Sequence, residues 1–166
     1  MLQYVQYALS PVAGFLVKWV DWIEDDKKGK SALKFPIAIA YGLIIGYLIS
    51  RASFTELFLG AMIAQVFARK IDNIGHVTGI IASVAAIIYF GLPVIALNYF
   101  FFFLILAFLD EQDYIGKYRA FTEYRLFLKI GAVLTVLTGR WDYAIAILLF
   151  DVGYLLFTEV QKRFIK

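Results

Sequence analysis

Apolar residues run along this chain in long blocks, at about 2–20, 35–50, 54–68, 77–91, 94–109, 126–138 and 142–160. Short charged clusters or Gly/Pro punctuation divide them, as in IEDDKKGK, RASFTE, ARKIDNIGH, GLP and LDEQDYIGK. Blocks of this length, bounded in this way, predict hydrophobic helices, about seven in all. Several cover only about 15 residues, where a bilayer core needs roughly 20. The flanking polar turns are therefore expected to extend those helices to headgroup depth. Pro11 breaks the first block, and the short sixth contains Lys129. A six-span alternative lays the first segment along the interface.

Composition converts a helix count into a fold class. The chain is 62% hydrophobic and 18% aromatic, with a mean hydropathy of +0.77, against roughly 45–50% apolar in soluble domains. A water-soluble core of this size could not hide that much apolar surface. The expectation is a single integral membrane domain over 1–166, an all-α polytopic transmembrane helical bundle. With no cysteine, disulfides and thiolate metal sites are excluded. The start, MLQYVQYALSPV, lacks the basic opening of a cleaved signal peptide and reads as mature protein. Membrane lipids are the expected surroundings, and a net charge of +3 gives no reason to expect nucleic acid.

Charge is strongly sided. Threading seven spans puts the connections 21–34, 69–76 and 110–125 and the tail 161–166 on one side, with fourteen of the sixteen Lys and Arg residues on or beside it. Only Arg51 and Arg140 fall on the other. By the positive-inside rule the charged connections face the cytoplasm of a cell-membrane protein, with the N-terminus outside and the C-terminus inside. Small residues recur every four positions at Ala38, Gly42 and Gly46, and again at Gly60, Ala64 and Ala68. Such stripes predict close packing of the second and third segments as a hairpin.

Candidate chemistry lies at the charged ends. Asp21-Trp-Ile, Asp72-Asn-Ile and Asp113-Tyr-Ile share an Asp-x-Ile pattern, which reads as a degenerate repeat of one helix end. Asp21 and Asp25 stand at i, i+4, as do Asp72 and His76 if the third helix continues that far; Asp110 and Asp113 stand at i, i+3. Carboxylates grouped this way raise one another's pKa unless a cation joins them. Mg²⁺ is the natural companion. Arg69, Lys70, Lys117, Arg119 and Arg125 flank the acids, a set suited to phosphate or diphosphate oxygens. Asp151 lies within the last apolar block, where an ionisable group needs a partner or water. Lys129 is the best candidate partner, with Gln65 as another.

The DxxxD form of Asp21-Trp-Ile-Glu-Asp25, the loop IEDDKKGK and the segment ARKIDNIGH resemble the Asp-rich loops of UbiA-type intramembrane prenyltransferases. The resemblance implies that Asp21, Asp25 and Asp72 help bind Mg²⁺-diphosphate, with an isoprenoid donor and a polar-headed acceptor. Val17 replaces the family's asparagine, His76 stands in place of a second acid, and the chain is much shorter than a full member. Three functions follow as expectations: Mg²⁺-dependent chemistry on a lipid-linked or prenyl diphosphate, cation or proton transport through Asp151 beneath an acidic vestibule, or a non-catalytic membrane subunit. No P-loop, nucleophile elbow, haem-ligating histidine pair or HExxH motif occurs.

Overall fold

In the computed structural model, residues 4–25, 31–112 and 125–164 are described, and they form seven α-helices with no strand among them. The helices are α1 (Val5–Asp25), α2 (Lys34–Ile49), α3 (Thr55–Phe67), α4 (Ile74–Phe90), α5 (Leu97–Asp110), α6 (Leu126–Leu134) and α7 (Trp141–Phe164). A 3₁₀ turn, Thr135–Thr138, continues α6. Each apolar block has become one helix. Pro11 does not end the first of them, and α1 runs unbroken through it.

Local chemistry sets the boundaries. Asn73 caps α4, its side-chain oxygen accepting from the His76 backbone N–H at 2.9 Å, which satisfies an amide that the first turn leaves unpaired. The cap of α6 comes from another element: Asp110, ending α5, accepts from the N–H groups of Phe127 at 3.0 Å and Leu128 at 2.7 Å. Gly91 after α4 and Gly139 before α7 take φ of +83° and +80°, positions that only glycine fills without strain.

The helices pair in parallel. The α2 stripe meets α4: a Cβ on Gly42 would lie 2.2 Å from the Gly79 carbonyl oxygen, and one on Gly46 would lie 2.4 Å from that of Ser83. Gly60 of α3 faces Phe103 and Leu104 of α5. Gly14 and Pro11 of α1 meet Phe150 and Gly153 of α7. The α2–α3 hairpin expected from the stripes is therefore corrected. Both stripes serve close packing, but each faces a helix two places along the chain, because small residues specify an approach distance and leave the partner open.

This pairing sorts the connections to two ends of the bundle. Glu24 accepts from the Gly75 N–H at 2.9 Å and pairs with Lys34 at 3.2 Å, which joins the first and third connections. At the other end Glu56, 2% exposed, accepts from the Ala96 N–H at 2.9 Å and the Tyr143 hydroxyl at 2.8 Å, with Arg140 at 3.9 Å. Tyr7 donates to Asp142 nearby. Between the ends, large apolar side chains face outward, including Val94 at 96%, Leu137 at 85% and Ile88 at 78% exposure. By length and composition one helix, Trp141–Arg163, suffices to cross a membrane; the others among α2–α6 are shorter apolar helices.

Candidate functional site: a polar-rimmed central cavity

A cavity of about 210 Å³ opens at the end of the bundle that carries Asp21, His76 and Arg125. Every helix except α5 contributes to its wall, and Glu111, directly after α5, completes it. The contributions follow one rule. Five of the six pair a polar side chain at the rim with an apolar one a turn deeper: Asp21 with Val17, Tyr41 with Ile45, His76 with Ile80, Arg125 with Leu128, and Gln65 with Met62 and Ala61. Spacings of three or four residues return to the same helix face. Along α3 the stripe continues through Phe58 to Leu57, about 12 Å below Gln65 at 1.5 Å per residue. Ile147 and Phe150 of α7 also line the apolar depth.

At the rim Asp21 is the hub. His76 Nε2 lies 3.1 Å from its Oδ1, the Tyr154 hydroxyl donates to Oδ2 at 3.0 Å, and Lys18 lies 4.0 Å away. Tyr41 Oη stands 3.3 Å from His76 Nδ1. Asp21 and His76 lie just outside the apolar blocks. Burial opposes both charges, yet the hydrogen bond and charge of Asp21 prevail and hold the imidazole above its usual range, helped by Glu24 and Asp72. The converse holds for Asp21, whose burial is outweighed by His76, then Lys18 and Arg125, so its carboxyl is held below the usual range.

Arg125 enters the wall from an unusual backbone. Its φ is +49°, left-handed for a β-carbon-bearing residue, a conformation costing about 1–2 kcal/mol. Its guanidinium lies 3.8 Å from Glu111 and over the Tyr154 ring. Arg69 is the other non-glycine residue with positive φ among those described, at +56°. Strain persists where surrounding structure enforces it, often at working sites.

The residues singled out from sequence divide accordingly. Asp21, His76, Lys70, Arg125 and Gln65 line the cavity. Asp110 does not join them as a ligand. Both its oxygens cap α6, and burial pushes its pKa to about 6 despite those two amides. Asp72 is exposed in the turn before α4, not on a continuation of α3, so it and His76 do not share a helix face there. The Asp-x-Ile match thus falls at the end of one helix and before the start of another. Asp25 is exposed in the last turn of α1. Arg69 lies at a separate groove. Asp113, Lys117 and Arg119 lie outside the described residues.

Among the described residues, no group of three or more His, Asp or Glu is placed to hold a metal ion. The Asp21 oxygens are engaged by His76 and Tyr154, and Asp25 and Asp72, the other acids of the prenyltransferase resemblance, are exposed. Asp151 pairs with Lys129 at 2.8 Å, tying α7 to α6, and is not in the cavity wall. Tyr41, Glu111 and Tyr154 were not singled out beforehand as site residues. Their signal was present, since each is a polar residue on a helix or at its end with apolar neighbours a turn away. Comparison with protein-family models, curated proteins and solved structures gives no match to this chain.

Proposed function

We propose that the chain is a polytopic membrane protein whose central cavity holds a membrane lipid with a phosphate or diphosphate headgroup. The observation that carries this is the repeated layout of the wall, polar at the rim and apolar one turn below on five different helices. An amphiphile has the same polarity along its length. Arg125 and Lys70 face the headgroup position, and a guanidinium matches phosphate oxygens in a planar fork. His76 beside them is paired with Asp21 at 3.1 Å, which raises its affinity for a proton. The hydrocarbon chain follows Gln65, Met62, Phe58 and Leu57 into the bundle.

The outward-facing apolar belt and the sorting of charged connections to one end support the membrane setting. On this reading Asp21, His76 and Arg125 stand at the cytoplasmic headgroup level. Transport through Asp151 has less support, because the deep wall of the cavity is apolar and Asp151 is committed to Lys129.

Lipid extraction and mass spectrometry of protein purified in mild detergent test the proposal. Wild type should retain a phosphate-bearing lipid. Arg125→Gly should lose it, with affinity falling about thirtyfold for the roughly 2 kcal/mol of a charged hydrogen-bonding contact. Glycine relieves the left-handed backbone but removes the contacts with Glu111 and Tyr154, so the melting temperature is read beside lipid content to separate loss of the lipid from loss of the fold. Equal lipid content in both proteins would reject the proposal.

A further inference from the structure

A second concavity lies on the outside of the bundle between the end of α3 and the start of α4, lined by Val66, Arg69, Ile71, Val77, Ile80 and Ile81. Two of these residues, Ile71 and Ile80, also line the central cavity, so the two spaces share one thin wall. The wall is thin for a topological reason. Although consecutive, α3 and α4 pack chiefly on α5 and α2 respectively and barely on each other, leaving a seam that only side chains close. Arg69 stands at the polar end of that seam with a left-handed backbone. Val66, Val77 and Ile81 are exposed along it.

We infer that this seam is a second lipid-binding site, a lateral groove in which the hydrocarbon chain of a phosphate-headed bilayer lipid lies against Val66, Val77 and Ile81 while Arg69 holds its headgroup, before passing between Ile71 and Ile80 into the central cavity. This rests on the lipid reading of that cavity. Three features support the occupant. The groove lies on the apolar exterior, with Val66, Val77 and Ile81 exposed, its one charge is complementary to a phosphate, and it adjoins a space of the same polarity across Ile71 and Ile80. Ile71 and Ile80 are the two residues that line both spaces.

The test uses the full chain in phosphatidylcholine nanodiscs doped with phosphatidic acid carrying a diazirine in one acyl chain. Photolysis followed by peptide mapping should label Val66, Val77 or Ile81 at early times and Met62 or Phe58 later. Ile80→Trp thickens the shared wall and should slow the later labelling about tenfold while sparing the groove. Ile80→Ala should speed it, which keeps the test decisive if the tryptophan variant folds poorly. Arg69→Gln should cut groove labelling about fivefold, the worth of one basic side chain at an anionic surface. Cavity labelling without groove labelling, at a rate indifferent to both Ile80 variants, overturns the groove and leaves the cavity reading standing. Absence of label from the cavity in wild type overturns that reading and the groove with it.

Discussion

At the scale of single residues, Asp21 and His76 carry the sharpest consequence. Asp21 is held below 3.8 in the folded protein, so its contribution to stability is complete above that value and is lost as pH falls through the folded pKa. His76 is held above 6.5, so its contribution is complete below 6.5 and is lost as pH rises through its folded pKa. Their pairing is therefore strongest from moderately acidic pH up to 6.5. Thermal unfolding in nanodiscs should show the melting temperature declining as pH rises above 6.5. In His76→Gln that decline should flatten, and Asp21→Asn should cost about 2 kcal/mol near pH 6 as it weakens a charged hydrogen bond. An unchanged alkaline slope in His76→Gln would show that the pair does not govern it. Lys129 and Asp151 illustrate a simpler case, in which each ionisable group inside an apolar block answers the other's cost.

At the scale of elements, the fold depends on backbones approaching through glycine. On Gly42 a Cβ would meet a carbonyl oxygen of α4 at 2.2 Å, which no rotamer change relieves. Gly42→Ala should destabilise by about 2 kcal/mol through overpacking, read as a drop in melting temperature. Gly139 has open space around it and only a left-handed backbone to maintain, so Gly139→Ala should cost about 1 kcal/mol. Equal losses at the two positions would mean that α2 and α4 do not meet as described. Helix existence and approximate ends were legible in the hydrophobic blocks, because length and punctuation are local properties. Helix partnership was not. The Ala38, Gly42 and Gly46 stripe is compatible with any helix offering a small-residue face, and Gly79, Ala82, Ser83 and Ala86 supply one on α4.

At the scale of the whole molecule, parallel pairing of α1 with α7, α2 with α4 and α3 with α5 forces successive connections to opposite ends. The chain has no cysteine, so single substitutions report each end cleanly. On intact cells an impermeant maleimide should label Ser53→Cys and Leu92→Cys directly, and Ser31→Cys and Asp72→Cys only after permeabilisation. Ser31 and Ser53 labelled from the same side would contradict a membrane crossing by α2. The same assembly explains why the cavity has a polar rim, since the rim is where the ends of six helices converge.

Taken alone, the sequence determined the helical class, the number of hydrophobic elements, the sidedness of charge and the pairing of Lys129 with Asp151, each a matter of composition, periodicity or the cost of an unpartnered charge. Only the tertiary structure decided which acids work together. It turned Asp110 into a helix cap, left Asp72 exposed and joined Asp21 to His76 and Tyr154 across three helices. The physical reason is that a carboxylate takes the nearest donor in space, and that donor is fixed by which helices pack, a property that no short spacing along the chain records.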